Sequence, residues 1–164
     1  MIQNLFVVCV LSLFLNISFA SPAFADVGTN RTPPWEANAA TDTTTAAAKR
    51  VALLIGNTEY TIQPLRTSLQ DARAMADLLL SLGFETIILE NANGLQISQA
   101  LDDLNKRLGN NGLGLFYFAG HGMQINTRNY LIPIQVAVSS ESDVEFEAVD
   151  AGRVMGKMRY AGNK

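Results

Sequence analysis

Two hydrophobic rhythms alternate along the chain after residue 50. Val51-Ala52-Leu53-Leu54-Ile55 is a continuous apolar run that stops at Gly56-Asn57, the pattern of a strand buried on both faces. Thr86-Ile87-Ile88-Leu89 and Leu113-Gly114-Leu115-Phe116-Tyr117-Phe118 repeat it. Between these runs the spacing changes to that of a helix. Leu69, Ala72, Met75, Leu79 and Leu82 form one stripe, opened by a Ser68/Asp71 capping-box pattern and closed by Gly83. Ile97, Leu101, Leu104 and Leu108 form a second, after the Asn91-Ala92-Asn93-Gly94 turn and before Gly109. Tyr130-Leu131-Ile132 reads as a short extended segment stopped by Pro133, and Val154, Met155 and Met158 suggest a last helix from about Asp150 to Tyr160. The acidic stretch with Glu141, Asp143, Glu145 and Glu147 reads as a solvated segment.

This order is β-α-β-α-β followed by smaller pieces, which predicts a parallel sheet with right-handed crossovers. Ligands of such sheets bind at the carboxyl ends of the strands. The third strand runs into Ala119-Gly120-His121-Gly122, which reads as a tight glycine turn at that edge. The loop after the first strand and the first turn of the first helix emerge there too, so Arg66, Asp71 and His121 share one rim. Histidine exchanges protons near neutral pH, and glycines on both sides leave its imidazole open to close approach. Nucleotide binding is the rival for an α/β chain, but Gly-x-Gly-x-x-Gly and the phosphate-loop Gly-Lys-Ser/Thr are both missing.

The amino-terminal part follows other rules. Leu5 to Ala20 is almost wholly apolar, and Ala23-Phe24-Ala25 matches the small-residue cleavage pattern of a secretory signal peptide. The run is short for a membrane span of ~20 residues, and an uncleaved anchor is the alternative. Residues 26–49 are rich in Thr, Ala, Asn and Pro without hydrophobic periodicity, as in a disordered linker. The expected organisation is a signal peptide over 1–25, a linker over 26–49 and one α/β domain over 50–164, with an exported, periplasmic or extracellular location.

Composition narrows the chemistry. The 164 residues are 48% hydrophobic with a net charge of −3, and no Lys/Arg cluster points to nucleic acid. There is one histidine, His121, and one cysteine, Cys9, which lies in the apolar amino-terminal run. No intrachain disulfide and no zinc site follow from that inventory.

Arg50 to Asn57, Pro64-Leu65 with Asp71-Ala72, Leu82-Gly83-Phe84, Phe116-Tyr117-Phe118-Ala119-Gly120-His121-Gly122 and Asn129-Tyr130-Leu131-Ile132-Pro133 together resemble bacterial caspase-like peptidases of the metacaspase and orthocaspase kind. The resemblance covers Arg50 onward. It implies a caspase-haemoglobinase-like three-layer sandwich with a mostly parallel sheet, and a Cys-His dyad that cleaves peptide bonds. By it, His121 is the catalytic histidine and the backbone N–H of Gly122 an oxyanion donor. Asp71 would help form an acidic S1 pocket for Arg or Lys; its competing role is to cap the first helix. Arg66 is the alternative, holding a substrate carboxylate as in animal caspases. The family's nucleophilic cysteine follows a fourth strand, which this sequence does not reach. The expectation is therefore a domain incomplete at the C-terminus: the His-bearing part of a cysteine endopeptidase, inactive alone, or a non-catalytic pseudo-peptidase that binds peptides or proteins. Its partners would be a peptide or protein substrate and a partner or downstream segment supplying the missing strands. No cofactor is expected. Calcium dependence occurs among metacaspases, but no calcium-loop spacing is present.

Overall fold

A computed structural model describes residues 6–14, 48–109 and 112–160. In chain order the elements are β1 (Phe6–Phe14), β2 (Arg50–Gly56), α1 (Ser68–Ser81), β3 (Glu85–Glu90), α2 (Gly94–Leu108), β4 (Leu113–Ile125), β5 (Arg128–Leu131), α3 (Glu141–Glu147), β6 (Val149–Asp150) and α4 (Ala151–Tyr160). The expected linker lies outside the described residues, apart from its last two.

The sheet order is β3-β2-β4-β5-β6, with β1 added beside β4. β2 pairs in parallel with both β3 and β4, and the other pairings are antiparallel. From β2 the chain steps to one side to form β3, then returns past β2 to form β4. Two right-handed crossovers in opposite directions put their helices on opposite faces, and the packing follows. Ala52, Leu54, Leu115, Tyr117 and Ala119 meet Ala72, Ala76 and Leu79 of α1. The alternate residues Val51, Leu53, Ile55, Phe116 and Phe118 meet α2 and α4 through Leu101, Leu104, Val154 and Met158. The expected three-layer α/β arrangement, mostly parallel at its centre, is what forms. A third small core, with Tyr60, Met123, Tyr130, Ile132 and Val144, sits over the β4–β5 hairpin.

Two local expectations are corrected. The Ser68/Asp71 capping box does not form: Thr67 is the N-cap with no side-chain cap bond, and Ser68 is already helical and buried. The capping box sits instead on α2, where Asn93 and Gln96 satisfy each other's backbone N–H groups. The strand carrying the histidine does not end in a glycine turn. β4 runs through His121 and Gly122 to Ile125, and the reversal falls at Asn126-Thr127, both at positive φ (48° and 66°), the geometry of a two-residue hairpin. The acidic stretch is solvated as expected, with Glu141, Glu145 and Glu147 exposed, and it forms α3, capped reciprocally by Ser140 and Asp143 and seated by Val144, which is fully buried.

Part of the apolar stretch read as an export signal is β1. Its nine residues run antiparallel to β4, with Phe6 opposite Gly122 and Phe14 opposite Gly114.

Candidate active site

The parallel pairing of β2 with β4 ends at Gly56 and Ala119 and is extended by one bond, from Asn57 N–H to the Ala119 carbonyl at 2.9 Å. The hairpin pairing with β5 begins at Gly122, opposite Leu131. His121 lies between the two, where β4 changes partners, just beyond the carboxyl end of β2. Neighbouring β2 is where the sheet order reverses, the place at which such sheets bind ligands. As an odd-numbered residue of β4, His121 projects on the same face as Tyr117 and Ala119, the face that carries α1. The loop from Asn57 to Thr67 leads into α1 and therefore passes over the imidazole.

Two asparagines anchor that loop. Asn57 is wholly buried, donates from Nδ2 to the Ala92 carbonyl (3.2 Å) and accepts from Ala92 N–H (2.8 Å). Asn91, at φ 50°, accepts from Thr58 N–H (2.8 Å), Thr58 Oγ1 (3.1 Å) and Glu59 N–H (3.1 Å). The start of the loop is thereby tied to the β3–α2 turn. Gly56 lets β2 meet α1 closely, since an added Cβ would lie 2.6 Å from the Ser68 carbonyl oxygen.

Held in this way, the loop reaches the histidine through Tyr60 and Gln63. The Tyr60 and His121 ring centroids are 4.3 Å apart, at 53° between planes. His121 Nε2 lies 2.6 Å from the Gln63 carbonyl oxygen. A carbonyl only accepts, so Nε2 carries the hydrogen and the neutral ring keeps its lone pair on Nδ1. Gln63 has φ 57°; Pro64 after it bars the right-handed helical conformation, and a left-handed backbone at a non-glycine residue is found where surroundings enforce it. His121 is only 6% exposed, and its Nδ1 is buried without a hydrogen-bond partner among the described residues. A buried nitrogen with no partner is a basic atom waiting for one.

A cleft of about 620 Å³ opens beside the ring. Its walls include Ile62, Met123, Ile132, Val136 and Val138, with Gln63 and Gln135 as polar points. Neither Arg66 nor Asp71 lines it. Both are exposed, Arg66 in the loop and Asp71 in the first turn of α1, and they form no ion pair with each other among the described residues. The Asp71 backbone N–H bonds to the Thr67 carbonyl at 2.9 Å, and its carboxylate stands in the first turn of α1. Gly122 follows His121 in β4. Successive peptide groups of a strand point to opposite edges, and His121 uses the β5 side, accepting from Ile132 N–H at 2.9 Å. The Gly122 N–H therefore points to the other edge, along which β1 is paired. Among the described residues no three His, Cys, Asp or Glu side chains converge to hold a metal ion.

The pattern of apolar runs located His121 but not Tyr60, Gln63 or the asparagines. Asn57 signals itself only as a polar residue directly after a buried strand, and Tyr60 as the one aromatic in a polar loop.

Comparison with known proteins agrees with this architecture. Mucosa-associated lymphoid tissue lymphoma translocation protein 1 of Homo sapiens is 33% identical over 89 residues, which is 54% of this chain and 11% of that protein. Its Mus musculus homolog matches to the same extent. The chain thus aligns with a small part of each relative's length. Residues 49–155 match the family description "Caspase domain". That match begins one residue before β2 and ends inside α4, so it spans every element that builds the site except β1, and the chain belongs to the caspase-domain family of peptidases.

Proposed function

We propose that the chain is the histidine-bearing part of a cysteine endopeptidase, with His121 as the proton-transfer group of a Cys-His dyad. The observation that carries this reading is the state of the imidazole: Nε2–H held by the Gln63 carbonyl and Nδ1 buried without a partner among the described residues, beside a cleft. That tautomer leaves Nδ1 to take the thiol proton as a cysteine sulfur attacks the scissile carbonyl carbon. The same proton then passes to the leaving amine as the C–N bond breaks, and water later releases the acyl group. The Gln63 carbonyl stabilises the imidazolium formed in between. The backbone N–H of Gly122 is the proposed oxyanion donor by the family resemblance, a contact typically worth ~3 kcal/mol, and the proposal requires β1 to leave the edge of β4 to which that N–H points. Asp71, exposed in the first turn of α1 and outside the lining of the cleft, is the proposed partner for the guanidinium or ammonium of a substrate Arg or Lys that reaches past the cleft; Arg66, likewise outside the lining, is the competing specificity group, for a carboxylate.

The matched region 49–155 contains no cysteine, and Cys9 is the sole one in the sequence. The nucleophile must then come from outside these residues. The same fact favours the second reading, a non-catalytic module that binds peptides in the cleft. The apolar run before residue 25 supports export. The test is an assay of fluorogenic peptides ending in Arg, Lys or Asp, using this chain and the longest polypeptide its gene encodes. The chain alone is expected to be silent, and the longer product to cleave after Arg or Lys, with loss in His121→Ala and Asp71→Ala. Alkylator-sensitive turnover by this chain, full activity of His121→Ala, or Arg66-dependent cleavage after Asp would each overturn the corresponding assignment.

A further inference from the structure

We infer that Tyr60 is a positioning residue for His121, acting on the imidazole through the backbone beneath it as well as through its ring. The inference rests on His121 being the proton-transfer group proposed above. The register that sets Gly122 opposite Leu131 also sets His121 opposite Ile132. An antiparallel pair bonded at this position exchanges two N–H···O=C bonds. Only one is made directly, from Ile132 N–H to the His121 carbonyl at 2.9 Å. The Tyr60 hydroxyl replaces the other: it accepts from His121 N–H at 3.0 Å and donates to the Ile132 carbonyl at 2.9 Å. A side chain from the loop is spliced into the sheet at the residue that carries the imidazole.

Three features show that this seat is built for a tyrosine. Gly120 leaves room for it, since a Cβ added there would lie 2.5 Å from Tyr60 Oη. Tyr60 is 8% exposed, so its hydroxyl has those two buried backbone groups as partners in place of water. Burial also pushes the phenol up to about 12, against the pull of the His121 N–H and the Asn57 amide, so it remains a donor at any physiological pH. A tyrosine serving only to fill space would not need a hydroxyl on the backbone of the one histidine. From Tyr60 to Gln63 a four-residue segment therefore touches His121 three times: at its backbone N–H, at its ring and at Nε2. Without the hydroxyl, His121 N–H and the Ile132 carbonyl would have to close on each other or stay unpaired. Either outcome turns the ring relative to the Gln63 carbonyl.

Because the protein has a single histidine, imidazole nitrogen-15 resonances report on His121 alone. The experiment records them for the full chain and for Tyr60→Phe at a pH where the ring is neutral, with circular dichroism to establish folding. The wild type is expected to show one tautomer, with hydrogen on Nε2. The folded Tyr60→Phe variant is expected to lose that single tautomer and show averaged ring shifts. A space-filling role alone would lower the melting temperature and leave the tautomer unchanged, and that result would overturn the inference. If Tyr60→Phe does not fold, the wild type decides: a Tyr60 hydroxyl proton protected from exchange, with a through-space contact to the His121 amide proton, supports the splice, and its absence refutes it. The tautomer is read without any peptide substrate, so failure of this inference and failure of the peptidase reading are separate results.

Discussion

Replacing Asn57 by alanine should unfasten the loop that holds the histidine, and the structure sets the size of the loss. The amide is wholly buried and makes two bonds to Ala92, itself 1% exposed. The Ala92 carbonyl keeps a second partner, Ile134 N–H at 3.1 Å. The Ala92 N–H has Asn57 Oδ1 as its partner and would be left buried and unpaired. Such an orphan costs ~1–3 kcal/mol, and the second lost bond ~1 kcal/mol net. The sum, about 3 kcal/mol, corresponds to a fall of roughly 10 °C in the melting midpoint for a domain of this size. Asn57→Asp separates the two bonds. Its carboxylate still accepts from Ala92 N–H but faces the Ala92 carbonyl with no hydrogen to give. Burial and that carbonyl raise its folded-state pKa above the unfolded value, so the folded form binds more protons. Stability is then present at acidic pH and lost as pH rises above ~4. Thermal unfolding followed by circular dichroism between pH 4 and 8 reads both effects. An Asn57→Ala midpoint within about 2 °C of wild type, or an Asn57→Asp midpoint indifferent to pH, would refute the reasoning.

Leu104, fully buried between α2 and the sheet, should lose ~2–5 kcal/mol on change to alanine, read as a lower urea midpoint at unchanged slope. Gly56→Ala should lose ~1–3 kcal/mol, since its methyl would meet the Ser68 carbonyl and the Ala72 Cβ; a wild-type midpoint would show that α1 shifts freely. Tyr60 ionises near 10 when unfolded and about 12 when folded, so its contribution is present below pH 10 and lost as pH rises to 12, by ~1.4 kcal/mol per unit. Tyr60→Phe should lack that slope in alkaline titrations. Arg73→Ala, which removes the exposed ion pair to Glu90, should leave the melting midpoint at physiological salt unmoved.

How much of this was legible in the sequence depended on range. The central strands and two main helices were readable because their signals are local: continuous apolar runs, 3.6-residue stripes, and Gly83 and Gly109 at positive φ where helices stop. The misreadings came where one local signal had two physical outcomes. Ala-Gly-His-Gly is as compatible with a strand as with a turn, and the β5 and Tyr60 partners that keep it extended come from elsewhere in the chain. Ser68 and Asp71 have cap spacing, but Thr67 stands one place earlier and moves the start of the helix. Of the site, His121 was readable because histidine is rare and chemically special. Tyr60 and Gln63 act through a hydroxyl on a distant backbone and through a main-chain carbonyl, and residue type does not announce a carbonyl.

β4 keeps one alternation of sides through all thirteen residues, with Leu115, Tyr117 and Ala119 turned toward α1 and Phe116 and Phe118 turned away. This gives the strand a parity. Inserting or deleting a single residue between Leu115 and His121 would move either the imidazole or the core behind it to the wrong side, because a one-residue slip reverses every side chain. A change of two restores the facing but shifts His121 along the strand, away from Tyr60 and the Gln63 carbonyl. Among variants of this chain, length changes should therefore gather between Leu108 and Leu113, ahead of the strand, and be absent from the six steps that lead to the histidine.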